Sequence, residues 1–420
     1  MKSIRTISKL DAVVQAPPSK AHTLRALFIA SLASGRSTLK NALNAEDQRL
    51  SAAALRRMGA KINFDGNDFH ISGVGGMPRA PAGKLYLGNS GAGIRFIMSA
   101  AALAKGPTVI DGSARMRKRP ANDLIDALRQ LGIVIGKAGG KAAFPVVVRG
   151  NTFNGGVASL SGEKSSQYFS SILISAPYAQ HDVTIRATKA IKSRPYIDIT
   201  LQCMREFGAR ASNKGYRKFF VEAGKGYKGR QYAIEGDYSN ASYFFAAAAL
   251  TGGKVVVKNL KKNSKQGDMK FIGLLKKMGC TVRQGSNNVE VAGPTKLRAI
   301  KADMGDMPDI VPTLAVVAAC ASGTTKITNI EHLRIKESDR IGAVVRELRK
   351  LGVKATESKG GMSITGGIKK GGGTVETYND HRIAMSFAVL GLRQEGIKIK
   401  NPGCVSKSFP DFFRKLGELY

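Results

Sequence analysis

Five stretches of the chain gather the residue types that bind and react with anionic groups. In Ser19-Lys20-Ala21-His22-Thr23-Leu24-Arg25 and in Asn379-Asp380-His381-Arg382, cations stand at the start of apolar runs that read as helices. A helix N-terminus carries about half a positive charge from its aligned peptide dipoles, so Lys or Arg in the first turn is locally unfavourable. A bound anion reverses that balance, because free N–H groups, dipole and side-chain cation all act on one negative charge. Asn89-Ser90-Gly91-Ala92-Gly93 and Ser165-Ser166-Gln167 offer neutral donors and close backbone approach, which suit phosphate oxygens. Taken singly, such stretches are more often plain turns and caps. In Leu333-Arg334-Ile335-Lys336-Glu337-Ser338-Asp339-Arg340, the spacing predicts Lys336 and Arg340 on one helical face with Glu337 one step round. That is either a surface ion-pair face or a carboxylate tuned among cations to give or take a proton.

The elements that carry these stretches recur. Short helix-like runs ending in an apolar residue and Gly are found at Leu55 to Gly59, Leu128 to Gly132, Met204 to Gly208, Leu275 to Gly279, Leu348 to Gly352 and Phe413 to Gly417, each expected to precede a strand. Their glycines stand between 65 and 76 residues apart, a sixfold repeat with a period longer than that of solenoid arrays. Out of phase with them, apolar helical stretches begin near Lys20, Asn89, Ser165, Asn240, Asp309 and Asp380, each with a polar or charged residue at its start. Four of these end close to Gly35, Gly106, Gly252 and Gly323. Short strands such as Lys61 to Phe64, Val255 to Val257 and Asn288 to Val291 lie between the two helices of a repeat. A chain of 420 residues is too long for one typical core, and two domains of three repeats each are expected.

Composition narrows the function classes. Cys203, Cys280, Cys320 and Cys404 are far apart and form no CxxC pair, so neither a zinc site nor a disulfide framework is expected. No run of 18 apolar residues occurs and Met1 to Leu10 lacks the apolar core of a signal peptide, so a soluble cytoplasmic protein is expected. The net charge of +36, from 66 basic and 30 acidic residues, raises nucleic-acid binding as an alternative. Against it, the basic residues are spread over all six repeats, Trp is absent and no aromatic-rich RNA-binding signature occurs. Salt-dependent, non-specific attraction to polyanions is expected instead.

In their order along the chain, these segments resemble the 5-enolpyruvylshikimate-3-phosphate synthase family over nearly the whole length. The resemblance is carried by Pro18-Ser19-Lys20 with Arg25, Leu87-Gly88-Asn89-Ser90-Gly91 with Arg95, Arg115-Met116 through Arg119-Pro120, and Ser165-Ser166-Gln167. It continues through Ser193-Arg194-Pro195-Tyr196-Ile197-Asp198, Glu235-Gly236-Asp237 with Ala241-Ser242-Tyr243, Met307-Pro308-Asp309 and Lys336-Glu337-Ser338-Asp339-Arg340. Asn379-Asp380-His381-Arg382 and Lys407-Ser408-Phe409-Pro410-Asp411 complete it. It implies an α/β (α+β) fold of two globular domains, each of three βαβαββ repeats (an inside-out α/β barrel), with helix N-termini facing a cleft that closes on substrates. One domain would comprise residues 1–14 and 236–420, the other 15–235. The implied activity is transfer of the enolpyruvyl group of phosphoenolpyruvate to shikimate 3-phosphate by a monomer, without metal or organic cofactor. Around shikimate 3-phosphate it implies Lys20, Arg25, Ser165, Ser166, Gln167, Ser193, Tyr196, Asp309, His332 and Lys336. Around phosphoenolpyruvate it implies Lys20, Asn89, Gly91, Arg119, Gln167, Arg340, Arg382 and Lys407. Lys20, Asp309 and Glu337 are the implied catalytic groups, with coupled titrations.

The chain departs from the family pattern at Ala21, where a Ser is usual, at His332 for a frequent Asn, and at Ala92 and Phe96 for a common Thr and Pro. Loss of the Ser hydroxyl removes one hydrogen bond of about 1 kcal/mol to the acceptor. The changes at Ala92 and Phe96 carry the expectation of an altered response to glyphosate. A relative acting on UDP-N-acetylglucosamine usually has a reactive Cys in the arginine loop, and Gly112 to Arg119 contains none. An enolpyruvyl transferase with another acceptor, or a nucleic-acid-binding protein on the same scaffold, are the alternatives.

Overall fold

The computed structural model describes residues 1–8, 10–138, 140, 142–368 and 371–420. Its contacts divide the chain into two compact units, Pro18–Ile234 on one side and Met1–Pro17 with Glu235–Tyr420 on the other.

One repeat shows the plan of both. Strand Leu85–Tyr86, helix Gly91–Ala101 and strand Pro107–Asp111 form a parallel crossover. The helix Asn122–Gln130 then leads into the hairpin of Ile135–Lys137 and Val146–Arg149, which adds antiparallel to Pro107–Asp111. The order is βαβαββ. Gly156–Leu160 with Val183–Ala187, and Lys301–Asp303 with Thr324–Thr328, open their sheets with the same parallel pairing. In two sheets the parallel partner comes from far along the chain, Gln231–Ala233 beside Arg36–Lys40 and Asp11–Gln15 beside Lys254–Lys258. The chain therefore passes from one unit to the other twice.

Two kinds of helix follow from two kinds of sequence. Val311–Ala319 is buried at every residue and Tyr238–Thr251 at all but Thr251, as runs apolar on all faces demand. Asn122–Gln130 buries only Leu124, Ile125, Ala127 and Leu128, the i, i+3, i+4 stripe of a helix that covers a sheet. Where the buried helices meet, small hydroxyl residues allow close approach and satisfy one another. Thr313 lies 3.3 Å from Ser242 and 3.2 Å from Ser386 in one unit, and Ser99 lies 2.6 Å from Ser171 in the other.

The glycines that close the outer helices behave as the repeat expects in five cases and differently in the sixth. Gly59, Gly132, Gly208, Gly279 and Gly352 all adopt positive φ, between 76° and 109°. Gly417 instead lies inside the helix Phe412–Gly417 and no strand follows it. The last sheet takes its third strand, Lys2–Ser3, from the other end of the chain, antiparallel to Ile397–Ile399. A further repeated glycine escaped the reading of the sequence. Gly73, Gly150, Gly293 and Gly366 each follow a hairpin strand, where a Cβ would come within 1.7 to 2.2 Å of the carbonyl oxygen of Ala33, Ala104, Ala248 or Ala321. Backbone atoms cannot yield as side chains do. Gly150→Ala is accordingly expected to destabilise its unit by about 1–3 kcal/mol or more, measured by urea unfolding, and an unchanged midpoint would contradict the close approach.

Among the described residues no helix is long and apolar enough to cross a membrane.

Candidate active site

In the unit Pro18–Ile234 the helix Lys20–Leu32 begins behind Ser19, whose side chain accepts from the His22 N–H. Lys20 is the first helical residue, and its ammonium is paired with the buried Asp47 at 2.8 Å. The cation that the sequence placed awkwardly thus already has an internal carboxylate beside it. Arg25 is buried one turn further on. Its Nε donates to Thr200 Oγ1 at 2.7 Å and its Nη1 to the Ala21 carbonyl at 3.1 Å, with the Phe96 and Tyr196 rings 5.5 and 5.8 Å from Cζ. Burial lowers its pKa to about 10, which leaves it cationic at neutral pH.

The helix Gly91–Ala101 starts beside the arginine loop. Arg119 Nη1 donates to the side-chain oxygen of Asn89 at 3.3 Å, and a Cβ at Gly91 would lie 2.7 Å from its Nη2. Gly91 is therefore the residue that lets this guanidinium lie against a helix N-terminus. The loop is held by Asp111, which accepts from Arg117 Nη2 at 2.6 Å and from Lys84 at 3.2 Å. Those cations hold its carboxyl at about 2. At the start of helix Gln167–Ser175, Ser165 Oγ accepts from the Gln167 N–H at 3.2 Å, and Ser166 is buried beside it. Ser193, buried and at φ 59°, ends the turn that enters the helix Pro195–Glu206, with Tyr196 in its first turn.

The other unit gathers a denser set of charges. Arg340 is only 1% exposed and donates to three carboxylates: Asp309 at 2.9 Å, Glu337 at 2.9 Å and Asp380 at 2.8 Å. Arg382, equally buried, donates to the other oxygen of Asp309 at 2.8 Å, and also to Asn240 Oδ1 at 3.2 Å and Tyr243 Oη at 3.3 Å. The surrounding carboxylates raise both guanidinium pKa values despite burial. Asp380 caps the helix His381–Gly391 by accepting from the Arg382 N–H at 3.0 Å, and it also accepts from Ser338. Lys407, nearly buried, closes the turn Pro402–Lys407, and the next residue's carbonyl accepts from Asn240, the same side chain that receives Arg382. His332 is buried in the turn Glu331–Ile335, which Lys336 terminates.

Lys336 and Arg340 do not share a helical face. Lys336 is extended, with φ −86° and ψ −152°, and the helix starts only at Arg340 because Asp339 caps it by accepting from the Gly342 N–H. An N-cap residue stands outside the helix it starts, so with Asp339 as the cap Lys336 cannot belong to the same helix as Arg340. Of the groups anticipated, Asp309, Glu337, Arg340 and Arg382 form one ion-paired cluster, while Arg119 lies against Asn89 and Gly91 through a hydrogen bond and a close approach. Asp47 and Asp380 were missed as partners. Acids in or before a first helical turn read as ordinary dipole compensation, and nothing local says which distant cation they meet.

Asp268, also unanticipated, is buried within electrostatic reach of Asp309 and Arg382, and Ser239 donates to its Oδ2 while its Oδ1 has no partner among the described residues. Burial first, then the negative charge of Asp309, pushes its carboxyl up from 3.8 to about 7. A folded-state pKa above the unfolded one means stability that is full below the unfolded value and lost as pH rises through the folded one. Relative to wild type, Asp268→Asn is expected to flatten the fall in unfolding free energy from pH 4 to 7 and to be the more stable protein above that window. Parallel pH profiles for the two proteins would show that Asp268 does not titrate there.

Among known proteins, the family model described as EPSP synthase (3-phosphoshikimate 1-carboxyvinyltransferase) matches residues 4–416. A 3-phosphoshikimate 1-carboxyvinyltransferase of Nostoc sp. is 44% identical over 98% of this chain and 97% of its own length. That of Methanoculleus marisnigri is 42% identical over 97% and 96%. A solved EPSP synthase from Acinetobacter baumannii superposes with a TM-score of 0.83 at 30% identity, covering 99% of this chain and 97% of that one. The enolpyruvyl transferase NikO from Streptomyces tendae shares the fold, with a TM-score of 0.81 at 18% identity over 99% and 96%.

Proposed function

The chain belongs to the EPSP synthase (3-phosphoshikimate 1-carboxyvinyltransferase) family, and from that premise we propose how its own residues perform the family's reaction. The enzyme transfers the enolpyruvyl group of phosphoenolpyruvate to the 5-hydroxyl of shikimate 3-phosphate and releases phosphate. Each substrate brings a carboxylate and a phosphate of about −1.5 to −2, so the pair carries roughly −5 to −6. Cations have to oppose that charge, or the two anions repel one another from a common site.

Lys20, Arg25, Ser165, Ser166, Gln167, Ser193 and Tyr196 bind shikimate 3-phosphate, joined by Asp309, His332 and Lys336. Lys20, Asn89, Gly91, Arg119, Gln167, Arg340, Arg382 and Lys407 bind phosphoenolpyruvate. What supports this division most is the bridge made by Asp309, one of whose oxygens meets Arg340 and the other Arg382, at 2.9 and 2.8 Å. Two buried guanidiniums already arranged around one carboxylate are suited to take another, that of the substrate.

Asp309 leaves those guanidiniums as the substrate carboxylate takes them, and with less positive charge around it the carboxylate gains basicity. Asp309, helped by Lys20, then accepts the 5-hydroxyl proton while the hydroxyl oxygen forms its bond to C2 of phosphoenolpyruvate. As the substrate carboxylate draws Arg340 away from it, Glu337 takes up a proton and gives it to C3, which becomes a methyl group, and the adduct is a tetrahedral ketal phosphate free of covalent attachment to the protein. Transfer of a C3 proton back to the Glu337 carboxylate re-forms the double bond and breaks the C2–O bond to phosphate, whose growing charge the cations stabilise. Each anionic group is opposed by a side chain, so the proposal calls on no metal or organic cofactor.

Solvent isotope exchange tests the addition step. In D2O with shikimate 3-phosphate present, recovered phosphoenolpyruvate is expected to carry deuterium at C3, because reversal of the addition removes any one of the methyl hydrogens. Glu337→Gln is expected to abolish the exchange. Exchange at the wild-type rate in that variant would remove Glu337 from the proton transfer.

A further inference from the structure

We propose that Arg95 is a positioning residue that dictates which end of the Gln167 side-chain amide meets the substrate anions. The proposal rests on the assignment of Gln167 to both substrates. Arg95 is 2% exposed on the helix Gly91–Ala101 and reaches across to the start of the helix Gln167–Ser175. Its Nη1 donates to Gln167 Oε1 at 2.7 Å and to the Gly91 carbonyl at 2.8 Å, and its Nη2 donates to the Pro120 carbonyl at 3.1 Å. The Tyr168 ring lies 5.3 Å from its Cζ, and the Tyr168 hydroxyl donates to the same Pro120 carbonyl at 2.7 Å.

A guanidinium has donors and no acceptor, so the end of the amide that faces Arg95 has to be the oxygen. The amino end, with its two N–H donors, is then the end left for a ligand, and Gln167 is half-buried rather than enclosed. In the opposite orientation the amino group would meet a cation, and an acceptor oxygen would confront phosphate or carboxylate oxygens. Both changes are unfavourable, so one buried cation converts a two-faced amide into a donor. The bonds to Gly91 and Pro120 keep the guanidinium itself from turning, and they anchor it to the helix start and the loop that present Gly91 and Arg119.

Arg95→Lys keeps the buried charge and loses the fork. Arg95→Lys, Gln167→Ala and the double variant are compared by kcat/KM for phosphoenolpyruvate, with unfolding midpoints recorded beside them. If Arg95 acts through Gln167, each single variant loses about 10–10²-fold, and the double variant falls within about twofold of the worse single one, the signature of groups that work as a unit. Losses that multiply in the double variant would overturn the proposal and leave Arg95 a structural residue. Gln167→Ala at wild-type kcat/KM would overturn the placement of Gln167, and the proposal with it.

Discussion

Asp309→Asn is expected to lower kcat by about 10²–10⁴-fold while KM for phosphoenolpyruvate stays at or below the wild-type value. The opposed signs come from the two tasks given to one carboxylate. With Arg340 at 2.9 Å and Arg382 at 2.8 Å, Asp309 occupies the cations that the substrate carboxylate has to reach. Asn keeps the shape of the side chain and loses the charge, so it competes for the guanidiniums less well and cannot accept the hydroxyl proton. Steady-state kinetics with each substrate varied in turn separates the terms. A variant that loses phosphoenolpyruvate affinity tenfold with kcat intact would show that Asp309 is a binding group alone.

Arg340→Met is expected to cost about 3–5 kcal/mol of stability, more than Arg382→Met. The guanidinium of Arg340 donates to Asp309, Glu337 and Asp380, and the Asp380 side chain is fully buried. Removing it leaves several carboxylates close together with little solvent, and each must bind a proton or repel the others. Arg382 forms its ion pair with Asp309, while its remaining acceptors, Asn240 and Tyr243, are neutral, so less charge is stranded when it is lost. Urea unfolding of the two variants beside wild type gives the order. A loss at Arg340 below about 1 kcal/mol would mean that water or the neighbouring cations compensate the acids.

Much of this arrangement could be read along the chain, and the parts that could not have definable causes. The helix starts at Lys20, Gly91, Gln167 and Tyr238 were legible because capping residues or small donors precede apolar runs, a local signal. The four-residue spacing of Lys336 and Arg340 imitates a helical face, yet the cap at Asp339 between them starts the helix only at Arg340. The pairing of Gln231–Ala233 with Arg36–Lys40 was not visible, since a strand three residues long carries no mark of its partner almost two hundred residues away. The glycines at 73, 150, 293 and 366 recur with the repeat, yet a single Gly after a strand looks like any turn until the alanine carbonyl it accommodates is known. Arg95 stood within a recognised motif without a role, and only its buried contacts gave it one.

The transfer depends on its acceptor, and phosphate release from phosphoenolpyruvate measures that dependence most directly. With wild-type protein, release is expected only when shikimate 3-phosphate is present, with one enolpyruvyl ether formed per phosphate as counted by mass spectrometry, and with Lys20→Met nearly inactive beside it. Release without the acceptor, or a folded protein that forms no ether from these two substrates, would contradict it.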